Sequence, residues 1–164
     1  YYAIVDPQQN FTGLQDYSAG QIIQYSQVVR KKINEKYPDM FVHPEDSTIR
    51  DVSHIMWTGE PLDDSSSGRN AVFYGKKAID RSPCGTGTSA RMAQLYAKGR
   101  LKKNEPYVHE SIIGSKFVGK VEEETILDGK QAIIPSIQGW AQITGYNNII
   151  IDDDDPYAHG FQVL

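Results

Sequence analysis

Along this chain, short runs of alternating apolar residues are interrupted by two longer segments in which the apolar positions recur about every 3.6 residues. Residues 1–5, Tyr-Tyr-Ala-Ile-Val, predict a strand closed by Asp6-Pro7. Between Ser18 and Tyr37, the residues Ile22, Ile23, Tyr25, Val28, Val29 and Ile33 keep helical spacing, with Arg30, Lys31 and Lys32 toward the other face and Pro38 as a stop. That pattern predicts a core-facing amphipathic helix. Strands are expected over 52–57 and 71–74, on either side of Asp63-Asp64-Ser65-Ser66-Ser67-Gly68, which reads as an exposed turn and not as a linker between domains. A second helix is expected over 89–98, with Thr88 or Ser89 as N-cap, Met92, Leu95 and Tyr96 on one side, and Gly99 as the C-terminal cap. Short strands follow at 107–113, 117–121, 132–134, 141–144 and 148–151, with Asp128-Gly129 as a hairpin turn. Strands outnumber the two helices and do not alternate with them regularly, so the class is α+β and not a βαβ series.

The chemistry concentrates in one stretch, Asp80-Arg81-Ser82-Pro83-Cys84-Gly85-Thr86-Gly87-Thr88-Ser89-Ala90, which holds the chain's single cysteine. Pro83 fixes the approach to Cys84, two glycines follow, and the second helix comes next, so the thiol is expected at a helix mouth. First-turn N–H groups and the positive end of the helix dipole favour an anion there, either a thiolate or a bound carboxylate. Gly85 and Gly87 carry no Cβ, so their amides can approach such an anion closely. Asp80, four residues before the thiol, is placed either to meet a cationic substrate group or to pair with Arg81 on the surface; spacing leaves both open.

This stretch resembles the second active-site motif of the proline racemase family, which includes hydroxyproline 2-epimerases. The similarity continues through Arg91-Met92-Ala93-Gln94-Leu95-Tyr96-Ala97-Lys98-Gly99 and Val108-His109-Glu110-Ser111-Ile112-Ile113-Gly114, then Ile143-Thr144-Gly145 and Asp155-Pro156, and Tyr1-Tyr2-Ala3-Ile4-Val5-Asp6 looks like the strand opening the family's second half. The resemblance implies one half of a diaminopimelate-epimerase-like fold, a curved mixed β-sheet wrapped round a central helix. It implies an amino-acid racemase or epimerase inverting Cα of proline or 4-hydroxyproline without a cofactor, by two cysteines acting as acid and base. Cys84 matches the second of these, the backbone of Gly85 and Thr86 with Gly87 matches the carboxylate-binding side, and Asp80 matches the aspartate that contacts the substrate's ring amine.

The family's earlier Met-Cys-Gly-His-Gly type motif is missing, and members are about twice this length. The expected partners are therefore a small-molecule substrate and a missing N-terminal half with the second cysteine. A partner chain, or a homodimer setting two Cys84 thiols face to face, is the other way to complete the site. Residues 1–150 are read as the catalytic half-domain and 151–164 as a segment returning to the missing half.

Composition bounds this picture. A length of 164 residues suits one domain, and a net charge of −4 offers nothing basic enough for nucleic acid. No run of about 18 apolar residues exists, so no membrane partner is expected, and one cysteine excludes an internal disulfide and fits a reducing, cytoplasmic setting. His43, His54, His109 and His159 show no metal-ligand spacing, and Asp152 to Asp155 lacks the alternating ligands of a calcium loop, so no metal is expected. Two further classes stay open: a cysteine hydrolase pairing Cys84 with a histidine such as His109, and a non-catalytic amino-acid-binding module.

Overall fold

A computed structural model describes residues 1–162. Seven strands and two α-helices, with one 3-10 turn at Leu14–Asp16, make up the regular structure of these residues. In chain order they are β1 (Tyr2–Val5), α1 (Ala19–Lys36), β2 (His54–Gly59), β3 (Gly68–Tyr74), β4 (Ala78–Ile79), α2 (Gly85–Ala97), β5 (Tyr107–Ser111), β6 (Lys116–Leu127) and β7 (Lys130–Gln138).

Helix α1 begins where expected. Ser18 accepts from the Gln21 N–H, and the Gln21 side chain accepts from Ser18 N, a complete capping box that satisfies two orphan donors. Two expectations about α1 change. Tyr25 and Val28, expected on the core-facing stripe, are 41% and 47% exposed. Arg30 does not point to solvent: its guanidinium lies 4.8 Å from the Phe73 ring centroid and donates to the Ser53 and Gly75 carbonyls, clamping α1 to β2 and β3.

The sheet is mixed, ordered β1-β2-β3-β5-β6-β7 with β4 added to β3. β1 with β2 and β3 with β5 are parallel pairs, and the other pairs are antiparallel. Alternation along the two central strands sorts side chains to two cores. Ile55, Trp57, Ala71 and Phe73 join Phe11, Leu14 and Ile22 under α1, while Met56 and Val72 face Cys84. A further cluster of Met92, Leu95, Leu101, Tyr107 and Val121 packs α2 against the later strands. Helix α2 touches β6 and β7 near one end of the strand order and β1 at the other, so the sheet curls round it. At Gly119 a Cβ would stand 2.6 Å from Met92 Sδ, so a larger residue there forces the end of the Met92 side chain to shift.

The residues expected as strands at 141–144 and 148–151 form none. The chain from Gly139 to Ile151 pairs with nothing among the described residues, and Ile149 and Ile150 are each 87% exposed. Composition there favours a strand, but a strand needs a neighbour to pair with. The acidic run is a solvated turn, with Asp155 N–H reaching the Asp152 carbonyl at 3.1 Å.

Candidate active site

Helix α2 starts four residues earlier than its apolar spacing suggests. Cys84 itself is the N-cap, and Gly85 to Thr88 form the first turn. Neither Thr88 nor Ser89 caps the helix; Thr88 is buried and its hydroxyl turns back to the Pro83 carbonyl at 3.3 Å. This early start is possible because Cys84 adopts φ 64° and ψ 117°, a positive-φ conformation that costs about 1–3 kcal/mol for a residue with a Cβ.

The surroundings over-determine that conformation. Asp80 Oδ1 accepts from both the N–H and the hydroxyl of Ser82, each at 2.9 Å, and the Ser82 hydroxyl in turn accepts from Cys84 N–H at 3.0 Å. Pro83 is fully buried, and its carbonyl also takes the Asn70 amide at 2.8 Å. Behind it lies His109, fully buried on β5, with Nδ1 at 2.9 Å from Thr88 Oγ1 and 3.3 Å from Asn70 Nδ2. Burial, then the Arg91 charge, push the His109 imidazole down to about 3, so it is neutral at ordinary pH. Its Nε2 has no partner among the described residues.

The sulfur faces several donors. Gly87 N–H lies 3.4 Å from Sγ, the Tyr2 hydroxyl 3.2 Å and the Thr86 hydroxyl 3.6 Å. Thr88 N–H bonds the Cys84 carbonyl at 2.8 Å. The remaining first-turn amides, those of Gly85 and Thr86, have no intrahelical partner by the geometry of a helix start, and Thr86 is exposed. Amides left open in this way suit an anion. The glycines are not equivalent. A Cβ on Gly87 would meet Met56 Cε at 2.9 Å and Cys84 Sγ at 3.2 Å, whereas one on Gly85 would meet nothing within 4 Å.

All five residues singled out in the sequence, Asp80, Cys84, Gly85, Thr86 and Gly87, thus fall on one loop and helix mouth. Asp80 pairs with no arginine and serves the Ser82 turn through one oxygen, which leaves Oδ2 for another donor. His109 is not joined to the sulfur by a hydrogen bond, and a dry, neutral imidazole bonded to Thr88 lacks the contact that a hydrolase dyad needs. Tyr2 was not anticipated. It comes from β1, opposite His54 in the parallel register, and its ring stacks on His54 at 4.8 Å, with Tyr74 beyond at 6.5 Å. Burial lowers the His54 basicity, helped by the N-terminal charge and Arg30.

A well-formed cavity of about 310 Å³ lies elsewhere, toward the C-terminal half of α2, lined by Asp6, Arg69, Arg91, Arg100 and Tyr107 among others. Arg91 Nη1 meets Asp6 there at 2.8 Å and Arg69 Nη2 donates to the Ile112 carbonyl at 2.9 Å, while Nε of both arginines is buried without a hydrogen-bond partner among the described residues.

Known proteins match this arrangement over its whole extent. A family model described as proline racemase matches residues 1–162. A 4-hydroxyproline 2-epimerase of Spirosoma linguale is 62% identical over 164 residues, which is all of this chain and 48% of that protein. Among solved structures, a hydroxyproline epimerase from Agrobacterium vitis with bound trans-4-hydroxy-L-proline aligns with a TM-score of 0.76 at 30% identity, covering 99% of this chain and 46% of the other. A probable proline racemase from Agrobacterium radiobacter K84, with bound carbonate, aligns equally well at 34% identity over the same shares. The curled sheet round α2 is therefore one half of the diaminopimelate-epimerase-like fold, and the chain spans about half the length of the relatives it matches.

Proposed function

This chain belongs to the proline racemase family, and we propose that it forms one half of a cofactor-independent epimerase that inverts Cα of 4-hydroxyproline, with proline as the alternative substrate. The observation that carries the reading is the meeting of three groups at one helix mouth: a sulfur held at the N-cap of α2, open amides at Gly85 and Thr86, and Asp80 with a spare carboxylate oxygen.

Each group answers one need of the reaction. The substrate carboxylate binds the amides of Gly85 and Thr86, with Gly87 N–H completing the turn on the sulfur. Its ring ammonium meets Asp80. Donors at the carboxylate stabilise the negative charge that flows into it as the α-proton leaves, which is the costly part of the reaction. Cys84 works on one face of Cα. As thiolate it takes the α-proton, so that the Cα–H bond breaks, an S–H bond forms, and the electron pair passes into the carboxylate. A second cysteine on the opposite face returns a proton to Cα, and the roles exchange in the reverse direction.

The second cysteine comes from a part of the protein outside this chain, a reading supported by the doubled length of the relatives. The exposed apolar side chains Ile151, Tyr157 and Phe161 support a return of residues 151–164 to that other half, where burial would remove them from water. Residues 1–150 then act as the catalytic half-domain. The last two residues of the terminal segment lie outside the described ones.

Cys84→Ser in the complete protein tests the assignment. Turnover is expected to fall by about a thousandfold or more, while affinity for 4-hydroxyproline, read by calorimetry, stays within a few-fold. Retained epimerisation in that variant contradicts the role given to Cys84.

A further inference from the structure

The oxygen nearest the sulfur comes from outside the motif that carries it. Tyr2 places its phenol oxygen 3.2 Å from Cys84 Sγ and 2.6 Å from Thr86 Oγ1, and Sγ and Oγ1 are 3.6 Å apart, so the three side chains close a triangle. The Tyr2 ring is fixed independently of α2, by the pairing of β1 with β2 and by its stack on His54. The hydroxyl therefore meets the sulfur from a separate, rigid element.

Each hydroxyl has one hydrogen and can turn it. When the sulfur is ionised, Tyr2 O–H donates to it and Thr86 O–H donates to the Tyr2 oxygen. When the sulfur is protonated, S–H donates to the Tyr2 oxygen and Tyr2 O–H donates to Thr86 Oγ1. No heavy atom has to move between the two patterns. Tyr2 itself stays a phenol throughout, because burial first, and its bond to Cys84 next, push its ionisation upward.

We propose that Tyr2 is a positioning residue that keeps Cys84 competent as both base and acid, by donating to the sulfur before an α-proton is taken and accepting from it afterwards. The inference rests on the epimerase reading, in which one sulfur must take a proton in one direction and give one in the other. A donor fixed on the sulfur, such as Gly87 N–H at 3.4 Å, favours only the thiolate. A reversible hydroxyl serves both states. The phenol proton changes acceptor without leaving its oxygen, so the proton count at the sulfur is altered only by the substrate.

Tyr2→Phe keeps the ring and its stack and deletes the oxygen alone. The test uses the complete protein and follows two readouts: alkylation of Cys84 by iodoacetamide, monitored on its own peptide by mass spectrometry, and the pH profile of kcat/KM for epimerisation of 4-hydroxyproline. Losing one hydrogen bond to a charged acceptor is expected to slow alkylation roughly tenfold at neutral pH. The same loss is expected in kcat/KM on the acid side of the profile and to shrink at high pH, with KM nearly unchanged. Equal alkylation rates and superimposable pH profiles for the parent and Tyr2→Phe, in a parent that turns over, overturn this inference alone. A parent that fails to epimerise overturns the epimerase reading and the role of Tyr2 with it.

Discussion

Acid should destabilise this protein through His109, and the size of the effect follows from its burial. The imidazole is fully buried on β5 beneath the Cys84 loop and is neutral, held down to about 3 first by desolvation and then by the Arg91 charge. In the unfolded chain the same group titrates near about 6.5. Between those two values the unfolded state binds a proton that the folded state refuses, so unfolding becomes easier as pH falls. Linkage sets the slope at about 1.4 kcal/mol per pH unit, hence about 2 kcal/mol lost between pH 6.5 and 5.0 from this residue alone. Urea unfolding at pH 7.5 and pH 5.0 measures the effect in the parent and in His109→Gln. The variant loses hydrogen bonds to Thr88 and Asn70 at both pH values, so its stability is lower throughout, but its loss of stability between pH 7.5 and 5.0 should be smaller by about 2 kcal/mol. His54 contributes equally to both proteins and cancels. Equal pH slopes in the two proteins would refute the argument that a neutral, buried His109 underlies the loop.

Two glycine substitutions separate packing from ligand binding. Gly87→Ala forces a Cβ against Met56 and Cys84 Sγ, an overpacking cost of about 1–3 kcal/mol that a helix-propensity gain of about 1 kcal/mol only partly offsets; thermal melts should show a lower Tm, and epimerisation should fall with the displaced sulfur. Gly85→Ala meets only open space, so its Tm should match or exceed the parent's while KM for 4-hydroxyproline rises several-fold, read by steady-state kinetics. Arg91→Met removes a guanidinium only 11% exposed, but its partner Asp6 is 40% exposed and can hydrate, so a loss of about 1–2 kcal/mol is expected in urea unfolding at pH 7. Burial works against the Asp6 carboxylate, but the Thr58 hydroxyl and Arg91 outweigh it and hold the group below its usual range; its contribution is present above about pH 4, fades as pH falls through the lowered value, and should shrink in this variant.

What the sequence made legible here was local. The Ser18 cap, the Pro38 stop and the 3.6-residue spacing between them place α1 within a residue at each end, because capping and periodicity act over a few neighbours. Asp128-Gly129 gives the hairpin turn between β6 and β7 for the same reason. The start of α2 was not legible, since apolar spacing begins only near Met92 while the first turn is set by a positive-φ Cys84 that Asn70, Ser82 and Thr88 hold in place. Tyr2 was invisible because its contact with the sulfur spans 82 positions and depends on β1 lying parallel to β2 beside the helix mouth. The strands expected near Ile143 and Ile150 failed in a different way: their composition suits pairing, but composition does not supply the partner, and among the described residues they pair with none.

Proton NMR of the complete protein with trans-4-hydroxy-L-proline in heavy water, coupled to chiral analysis of the product, tests the central claim most directly. Incorporation of deuterium at Cα with inversion, lost when Cys84 is replaced by serine, is the result expected of a two-base epimerase in which this chain supplies one face. Inversion that proceeds unchanged without the Cys84 sulfur, or a bound substrate whose α-proton never exchanges, would contradict it.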